Sequence, residues 1–160
     1  MSNSDLIVWI DPGLISGAAW YDMEKGFFDS WQYNYQDLAA QLRRLVVMGE
    51  GRMVMGYEKF IDTSGGRRTS SPQHAHRAVQ VIEDFTREEG VPLLRAQPSS
   101  ARVLGQVVYL RRLGWYKPGK GHANDAAQHV LANVLTRRPM PQALREKLFP
   151  KYTPRDTLAP

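Results

Sequence analysis

The sequence predicts one α/β domain in which helices cover a mixed five-stranded sheet. Residues 6–10 (LIVWI) form a continuous apolar run, which is typical of a central strand covered on both faces. Two further strand patterns follow directly, and strand and helix patterns then alternate. A chain of 160 residues with 42% hydrophobic side chains suits one compact domain with a substantial core.

The first three strands are expected to form an antiparallel meander. The turn Asp11-Pro12-Gly13 ends the first strand, and residues 22–25 have the character of a hairpin connection between the second and third strands. Gly49 and Gly51 are expected to stop the first helix, and Gly90 to end the second. The predicted strands are residues 6–10, 17–21, 26–31, 52–58 and 91–96.

The predicted helices follow apolar residues at helical spacing. Ser71-Pro72 is a good helix start, with serine as N-cap and proline in the first turn. The polar, glycine-bearing segment before it, residues 61–71, is expected to be a mobile loop. Residues 109–120 are basic and aromatic and give no clear assignment. The predicted helices are residues 36–48, 72–89, one that begins within 98–106, and 122–136.

The chain is expected to divide into a folded domain, residues 1–137, and a proline-rich tail, residues 138–160. Five prolines follow Arg137 and little periodicity remains, although residues 142–148 could form one short helix. The N-terminus, MSNSDLIVWID, lacks the basic region of a signal peptide, and no apolar run approaches the length of a membrane span.

The charge and the absence of cysteine limit the classes of partner and site. A net charge of +5 and a pI of about 9.6 favour a polyanionic partner, for which nucleic acid is the commonest choice. The chain contains no cysteine, which excludes disulfides and thiolate zinc sites and is compatible with a reducing cytoplasm.

Three acidic residues lie where this fold class places functional groups. Asp11 ends the first strand, Glu58 ends the fourth, and Asp125 is near the start of the last long helix. Each has an ordinary alternative: a turn aspartate, a strand-end ion pair and a first-turn acid favoured by the helix dipole. The first and fourth strands should be neighbours, and the last helix should pack near them. Jointly the three acids indicate a site for magnesium or manganese that could support phosphodiester cleavage.

The last helix carries a polar stripe beside its apolar arc. His122, Asp125 and His129 are three and four residues apart and therefore share one face. We interpret His129 as a packing or solvent-facing histidine rather than a ligand, and assign no role to His74 and His76. The apolar arc, which should face the core, consists of Ala126, Ala127, Val130, Leu131 and Val134.

With these residues identified, the chain resembles the RuvC family of Holliday junction resolvases, within the retroviral-integrase and ribonuclease H superfamily. Three motifs carry the resemblance: IDPGLISGAAWY from residue 10, GYEKF from residue 56, and HANDAAQHVLANVL from residue 122. The stretch RAQPSSAR from residue 95 also looks like the family's fifth strand and following basic helix. The resemblance covers roughly residues 5–137 and implies a ribonuclease H-like fold.

The resemblance implies a metal-dependent endonuclease that cuts branched DNA, especially four-way junctions. Asp11, Glu58 and Asp125 match the family's metal-binding acids, and His122 matches a fourth position, which is aspartate in some members and histidine in others. His122 could bind a second metal or orient the water. Two Mg²⁺ or Mn²⁺ ions per site are implied, and the histidine leaves the choice between them open because imidazole tolerates manganese. Family members act as homodimers that make paired symmetric nicks.

The resemblance also suggests where DNA would bind. The loop over residues 62–71 matches the region that enters the junction, and Arg67 and Arg68 could contact phosphates there, unless they are incidental on a solvated loop. A second stretch interleaves Tyr109, Trp115 and Tyr116 with basic residues and could line the strand path. Those basic residues are Arg111, Arg112, Lys117 and Lys120.

Three other functions deserve comparison with a junction resolvase. An actin-like or sugar-kinase ATPase needs two such domains, and 160 residues supply one. A non-catalytic junction-binding module is disfavoured because all the acids are present. A nuclease for flaps, forks or RNA hybrids stays open, because loops and the dimer surface read substrate shape. The proline-rich tail suggests a phage-type member that would act in the host cytoplasm.

Overall fold

The computed structural model describes residues 6–49, 52–58, 72–96, 106–137 and 140–150, with only the backbone described at Pro72, Arg95 and Ala96. Five strands form one sheet, and helices cover both of its faces. Within these ranges no helix combines the length and apolarity that crossing a membrane requires. The strands are β1 (Leu6–Asp11), β2 (Ile15–Asp22), β3 (Phe27–Asn34), β4 (Met53–Glu58) and β5 (Leu93–Ala96).

The sheet has the strand order β3-β2-β1-β4-β5. β1 and β3 each pair antiparallel with β2, whereas β1 pairs parallel with β4 and β4 pairs parallel with β5. The predicted mixed five-stranded sheet with an antiparallel meander is therefore confirmed. β1 lies at the centre and is buried over its first five residues, as its uninterrupted apolar run indicates.

The hairpin between β2 and β3 forms where the sequence predicts it. The Asp22 carboxylate accepts hydrogen bonds from the backbone N–H groups of Glu24 and Lys25 at 3.0 and 2.8 Å. Gly26, with φ +66°, closes the turn in a conformation that suits glycine. Both strands extend further than predicted, because Ile15 pairs with Asn34 at the far end. The polar end of β3 is tolerated because β3 is an edge strand.

In the part of the chain that the structure describes, two helices cover one face of the sheet, α1 (Leu38–Gly49) and α2 (Pro72–Glu88). α1 begins two residues later than predicted, because the Asn34 side chain accepts a hydrogen bond from the Gln36 N–H at 3.1 Å and starts a 3₁₀ turn, Tyr35–Asp37. The core beneath the two helices includes buried side chains from both of them and from the even-numbered positions of β1: Leu6, Val8, Ile10, Leu38, Leu42, Leu45, Ala78, Ile82 and Phe85.

Among the described residues, three helices cover the opposite face: α3 (Val107–Leu113), α4 (Gly121–Thr136) and α5 (Gln142–Leu148). α4 and α5 occupy the predicted positions, and α3 falls in the basic, aromatic stretch left unassigned. Leu144 and Leu148 of α5 are buried in the core that lies between the sheet and these helices. Arg112 Nη1, on α3, donates a hydrogen bond to the Leu148 carbonyl oxygen at 2.9 Å. The predicted helix start within residues 98–106 falls almost wholly outside the described residues, as does the predicted loop over residues 61–71.

The alternation of side chains along β1 and β4 determines which face holds the acidic residues. Ile7 and Trp9 belong to the core under α4, and Asp11 follows at the next position on that face. In β4, Val54 belongs to the same core, and Glu58 lies four residues further along the same face. Both carboxylates therefore lie at the C-terminal ends of two adjacent parallel strands, on the side that α4 covers.

Candidate metal centre

Asp11 is the last residue of β1, and its side chain is 17% exposed. The loop that follows is held by Ser16, whose buried hydroxyl donates to the Gly13 carbonyl oxygen at 3.1 Å and accepts from the Gly13 N–H at 3.3 Å. These two contacts close the turn between β1 and β2 and fix the end of β1. The Asp11 carboxylate is therefore attached to the fixed end of a strand rather than to a loop.

Gly17 allows the N-terminus of α4 to approach Asp11. Gly17 is the direct partner of Asp11 across the β1–β2 pair. A Cβ atom at this position would overlap the His122 carbonyl group and lie 2.7 Å from the Ala123 backbone nitrogen. The first turn of α4 therefore lies directly on the backbone of β2, a separation that only glycine allows.

Asn124 fixes the turn that leads into α4. Its buried side-chain amide forms two hydrogen bonds with the Lys117 backbone: it accepts from the N–H at 2.9 Å and donates to the carbonyl oxygen at 2.8 Å. The Lys117 ammonium in turn binds the Asp29 carboxylate at 2.7 Å and the Ser30 carbonyl oxygen. These contacts tie α4 and its preceding turn to β3.

Asp11, His122 and Asp125 form a compact group, here called the three-residue cluster. Each offers one ligand atom, and these atoms all lie within 4.8 Å of one another. The shortest contact joins His122 Nδ1 and Asp11 Oδ2 at 2.7 Å. The His122 side chain is half exposed, so the cluster opens to solvent at the edge of the sheet.

Glu58 lies next to the cluster. Its side chain is 26% exposed, and its Oε2 atom is 3.5 Å from His129 Nε2. Glu58 follows Tyr57, the parallel partner of Ile10, so it lies at the end of β4 beside the end of β1, and its charge raises the pKa of Asp125. Three of the four predicted site residues therefore form the cluster, and Glu58 lies outside it, next to His129.

The close spacing of charged groups in and beside the three-residue cluster contributes to the raised pKa values of Asp125 and His122. Although Asp125 is exposed as a residue, the protein atoms around its carboxyl reduce its hydration and raise its pKa, and the charges of Asp11 and Glu58 raise it further. The hydrogen bond to Asp11 is the main reason that the pKa of His122 is raised. Both shifts show that the site favours additional positive charge, which either protons or a cation can supply.

The donor set fits a hard divalent cation. Three carboxylates offer the oxygen ligands that magnesium and manganese prefer, and one imidazole adds a nitrogen that manganese accepts readily. The fit rests on the clustering of ligand atoms and on the raised pKa of Asp125. Asp11, His122 and Asp125 are the residues whose ligand atoms lie close enough together to hold such an ion, and Glu58 lies beside them.

The predicted DNA-binding cations lie in different surroundings. Lys120 is exposed immediately before α4, and Arg111 lies 4.6 Å above the ring of Tyr116. Arg112 and Lys117, although not buried, hold the internal partners described above. Arg67 and Arg68 lie outside the described residues.

Three residues shape the site in ways that the sequence did not predict: Gly17, Asn124 and His129. The polar stripe of α4 contained a signal for His129, since it lies four residues after Asp125. His129 is buried and stacks on Trp9, so the packing interpretation is supported, but its contact with Glu58 was not expected. Gly17 and Asn124 stand within two of the motifs, but their roles were not predicted. Gly17 acts on α4, which is distant in the chain, and Asn124 acts on the turn seven residues before it.

Comparisons with known proteins identify the fold. No family model matches the chain, and no curated protein is significantly similar in sequence. Among solved structures, the chain is similar to T. thermophilus RuvC in complex with a Holliday junction substrate, with a TM-score of 0.59 and 16% identity over 90% of this chain and 96% of that one. A second Thermus thermophilus RuvC structure gives a TM-score of 0.57 at 15% identity, over 89% and 96%. The fold is therefore ribonuclease H-like.

Proposed function

We propose that this protein is a metal-dependent endonuclease that resolves four-way DNA junctions by paired nicks. One observation carries the proposal: Asp11, His122 and Asp125 converge within 4.8 Å at the edge of a ribonuclease H-like sheet, with Glu58 beside them. This set joins residues that are up to 114 positions apart in the chain, and a purely structural role would not require so much negative charge at one exposed edge.

We infer that the site holds Mg²⁺ or Mn²⁺, with two ions per active site. Divalent cations bound there would supply activation of water and stabilisation of the leaving oxygen in phosphodiester hydrolysis. Asp11, Glu58 and Asp125 would bind the metal through their carboxylates. His122, held by its hydrogen bond to Asp11, would add a nitrogen ligand or orient the attacking water.

The proposed substrate is supported by charge and by structural likeness. The chain carries a net charge of +5, which suits a polyanion. The similar T. thermophilus RuvC structure contains a Holliday junction substrate. On this chain, the exposed Lys120 and Arg111 are the cations of residues 106–137 that we assign to phosphate contacts, while Arg112 and Lys117 would contribute charge near that surface.

We further propose that the protein acts as a homodimer. Symmetric cleavage of a four-way junction requires two active sites, and the described residues of one chain supply one such site. The proline-rich segment after residue 137 favours a phage-type member acting in the cytoplasm of its host.

A substrate panel tests this function. Purified protein should be incubated with Mg²⁺ or Mn²⁺ and matched labelled substrates: a four-way junction, a fork, a flap, a duplex and an RNA–DNA hybrid. We expect the junction to be cut fastest, with nicks at symmetric positions on two opposing strands. A preference for the hybrid or the flap would assign the site to another nuclease class, and junction binding without cleavage would indicate a non-catalytic module.

The loop over residues 62–71 provides a second prediction. Replacing Arg67 and Arg68 together with alanine should weaken junction binding and lower the slope of log affinity against log salt by about 1 to 2, since each lost phosphate contact removes roughly one unit. Binding should be measured by fluorescence anisotropy across a salt series. The matched control replaces the exposed Arg43 and Arg87, which removes the same charge from α1 and α2. An unchanged slope in the loop variant would remove this loop from the DNA contacts.

A further inference from the structure

His129 occupies an unusual position for a histidine. Its side chain is only 4% exposed, yet it lies in the third turn of α4, four residues after Asp125. The ring stacks on Trp9, with centroids 4.9 Å apart and planes 6° from parallel. This stack fixes the plane of the imidazole against the central strand. Its Nε2 atom is 3.5 Å from Glu58 Oε2.

A glycine in β4 leaves room for the Trp9 indole on which His129 stacks. Gly56 pairs with Trp9 across β1 and β4, and a Cβ atom at Gly56 would overlap the Trp9 indole. The indole therefore lies flat over β4, where it supports the imidazole from below. Because Glu58 is two residues after Gly56, its side chain projects from the same face of the strand, next to the edge of the supported ring.

We propose that His129 is a positioning residue that holds the Glu58 carboxylate toward the three-residue cluster. The inference rests on the proposed metal-dependent function and extends it to a residue that binds no metal itself. A carboxylate near the end of a strand can rotate about three side-chain bonds. The fixed His129 ring, whose Nε2 atom lies 3.5 Å from one Glu58 oxygen, would restrict that rotation and leave the other oxygen for the metal. Such outer partners commonly alter metal affinity 10- to 100-fold.

Two substitutions separate this role from simple packing. His129→Phe keeps a flat ring on Trp9 but removes the nitrogen, whereas His129→Gln keeps an N–H donor and removes the aromatic stack. Binding of Mn²⁺, measured by electron paramagnetic resonance without DNA, should weaken about 10-fold or more in the phenylalanine variant. It should stay within about threefold of the parent in the glutamine variant. The melting temperatures of the metal-free variants should rank in the opposite way to their Mn²⁺ affinities. The glutamine variant should melt at the lower temperature, because it loses the stack on Trp9.

The control is His74→Phe. His74 also contacts an aromatic ring, with its centroid 5.6 Å from that of Tyr35 and the two planes tilted by 45°, but it lies on α2 and on the opposite face of the sheet. Its Mn²⁺ affinity should equal that of the parent. A phenylalanine variant of His129 with unchanged Mn²⁺ affinity would overturn the proposal, and so would a glutamine variant that loses as much affinity as the phenylalanine variant.

A double-mutant cycle with Glu58→Gln shows whether His129 acts through Glu58. The effect of His129→Phe on Mn²⁺ affinity should largely disappear in the Glu58→Gln background, and an undiminished effect there would contradict the proposal. If the phenylalanine variant fails to fold, ¹⁵N resonances of His129 in the parent protein provide the test. They should move on addition of Mg²⁺, and they should not move in Glu58→Gln.

The outcomes distinguish this inference from the proposed function. A parent protein that binds Mn²⁺ but cuts no branched DNA would refute the nuclease function, while the comparison of affinities would still decide the role of His129. A parent protein that binds no Mn²⁺ would refute both. Normal cleavage and metal binding in His129→Phe would refute the inference and leave the nuclease function intact.

Discussion

Replacing Asp11 with asparagine should reduce junction cleavage by at least about a thousandfold, equivalent to about 4 kcal/mol of transition-state stabilisation. Asp11 is the residue on which the cluster converges: its Oδ2 atom is 2.7 Å from His122 Nδ1, and its charge also acts on Asp125. Asparagine keeps the shape of the side chain but removes the charge that would attract the cation. The loss should exceed the 10- to 100-fold typical of outer partners, since Asp11 would bind the metal directly.

Junction binding should survive this substitution within about threefold, because contacts with phosphates dominate nucleic-acid affinity and Asp11 supplies none of them. Single-turnover cleavage and fluorescence anisotropy on the same junction separate the two effects. The control is Asp84→Asn, which alters an exposed carboxylate on α2 that pairs with Arg87 at 3.0 Å. An Asp11→Asn protein that retains substantial cleavage would contradict the assignment of the metal site.

The second large effect is expected from Gly17→Ala. A methyl group at this position would overlap the His122 carbonyl group, and the neighbouring backbone belongs to the first turn of α4. Backbone cannot rotate away as a flexible side chain can, so the helix must shift. We expect a loss of about 1–3 kcal/mol in the free energy of unfolding, the range typical of overpacking. Mn²⁺ affinity should fall as well, because the shift moves His122 and Asp125 away from Asp11.

Gly121→Ala is the matched control for this prediction. Gly121 begins the same helix, and a Cβ atom there would meet nothing within 4 Å. Its unfolding free energy should be unchanged or slightly higher, because alanine favours helix more than glycine does. Chemical denaturation and Mn²⁺ binding measure both quantities. Equal behaviour of the two variants would mean that the close approach of α4 to β2 does not position the site.

The sequence predicted the sheet well because its strands carry strong local signals. The run at residues 6–10 identified the central strand, and the alternation along residues 52–58 identified which side chains share the face with Glu58. The meander and its hairpin were correct, since Asp22 and Gly26 have the turn preferences that such a connection needs. The long last helix was placed within one residue of its observed start.

The remaining features depend on contacts that local patterns do not encode. The Asn34 side chain caps a 3₁₀ turn, and α1 begins only after that turn. Because such a side-chain hydrogen bond competes with the backbone hydrogen bonds of a helix, the residue at which the helix begins is hard to predict from sequence. The segment with α3 mixes buried aromatic residues with basic ones, so its periodicity is weak: Trp115 stacks on Phe28 of β3, with centroids 4.0 Å apart. Such partners become evident only after the sheet has brought them together.

The acids of the candidate site could be singled out from the sequence, but the residues that support them could not. Asp11, Glu58 and Asp125 were chosen because carboxylates at strand ends and helix starts are conspicuous. Gly17 and His129 act through packing between distant elements, and their importance appears only in the distances to His122 and Glu58. The assignment of individual residues to metal and DNA stays a prediction, which the substitutions above are designed to test.

The most direct test of the central claim is the metal dependence of junction cleavage by the unaltered protein. A four-way junction labelled in turn on each strand should be incubated with Mg²⁺, with Mn²⁺, and with EDTA alone. The proposal predicts symmetric nicks on two opposing strands with either metal and intact strands with EDTA. An intact junction under all three conditions, or equal nicking with EDTA, would contradict it.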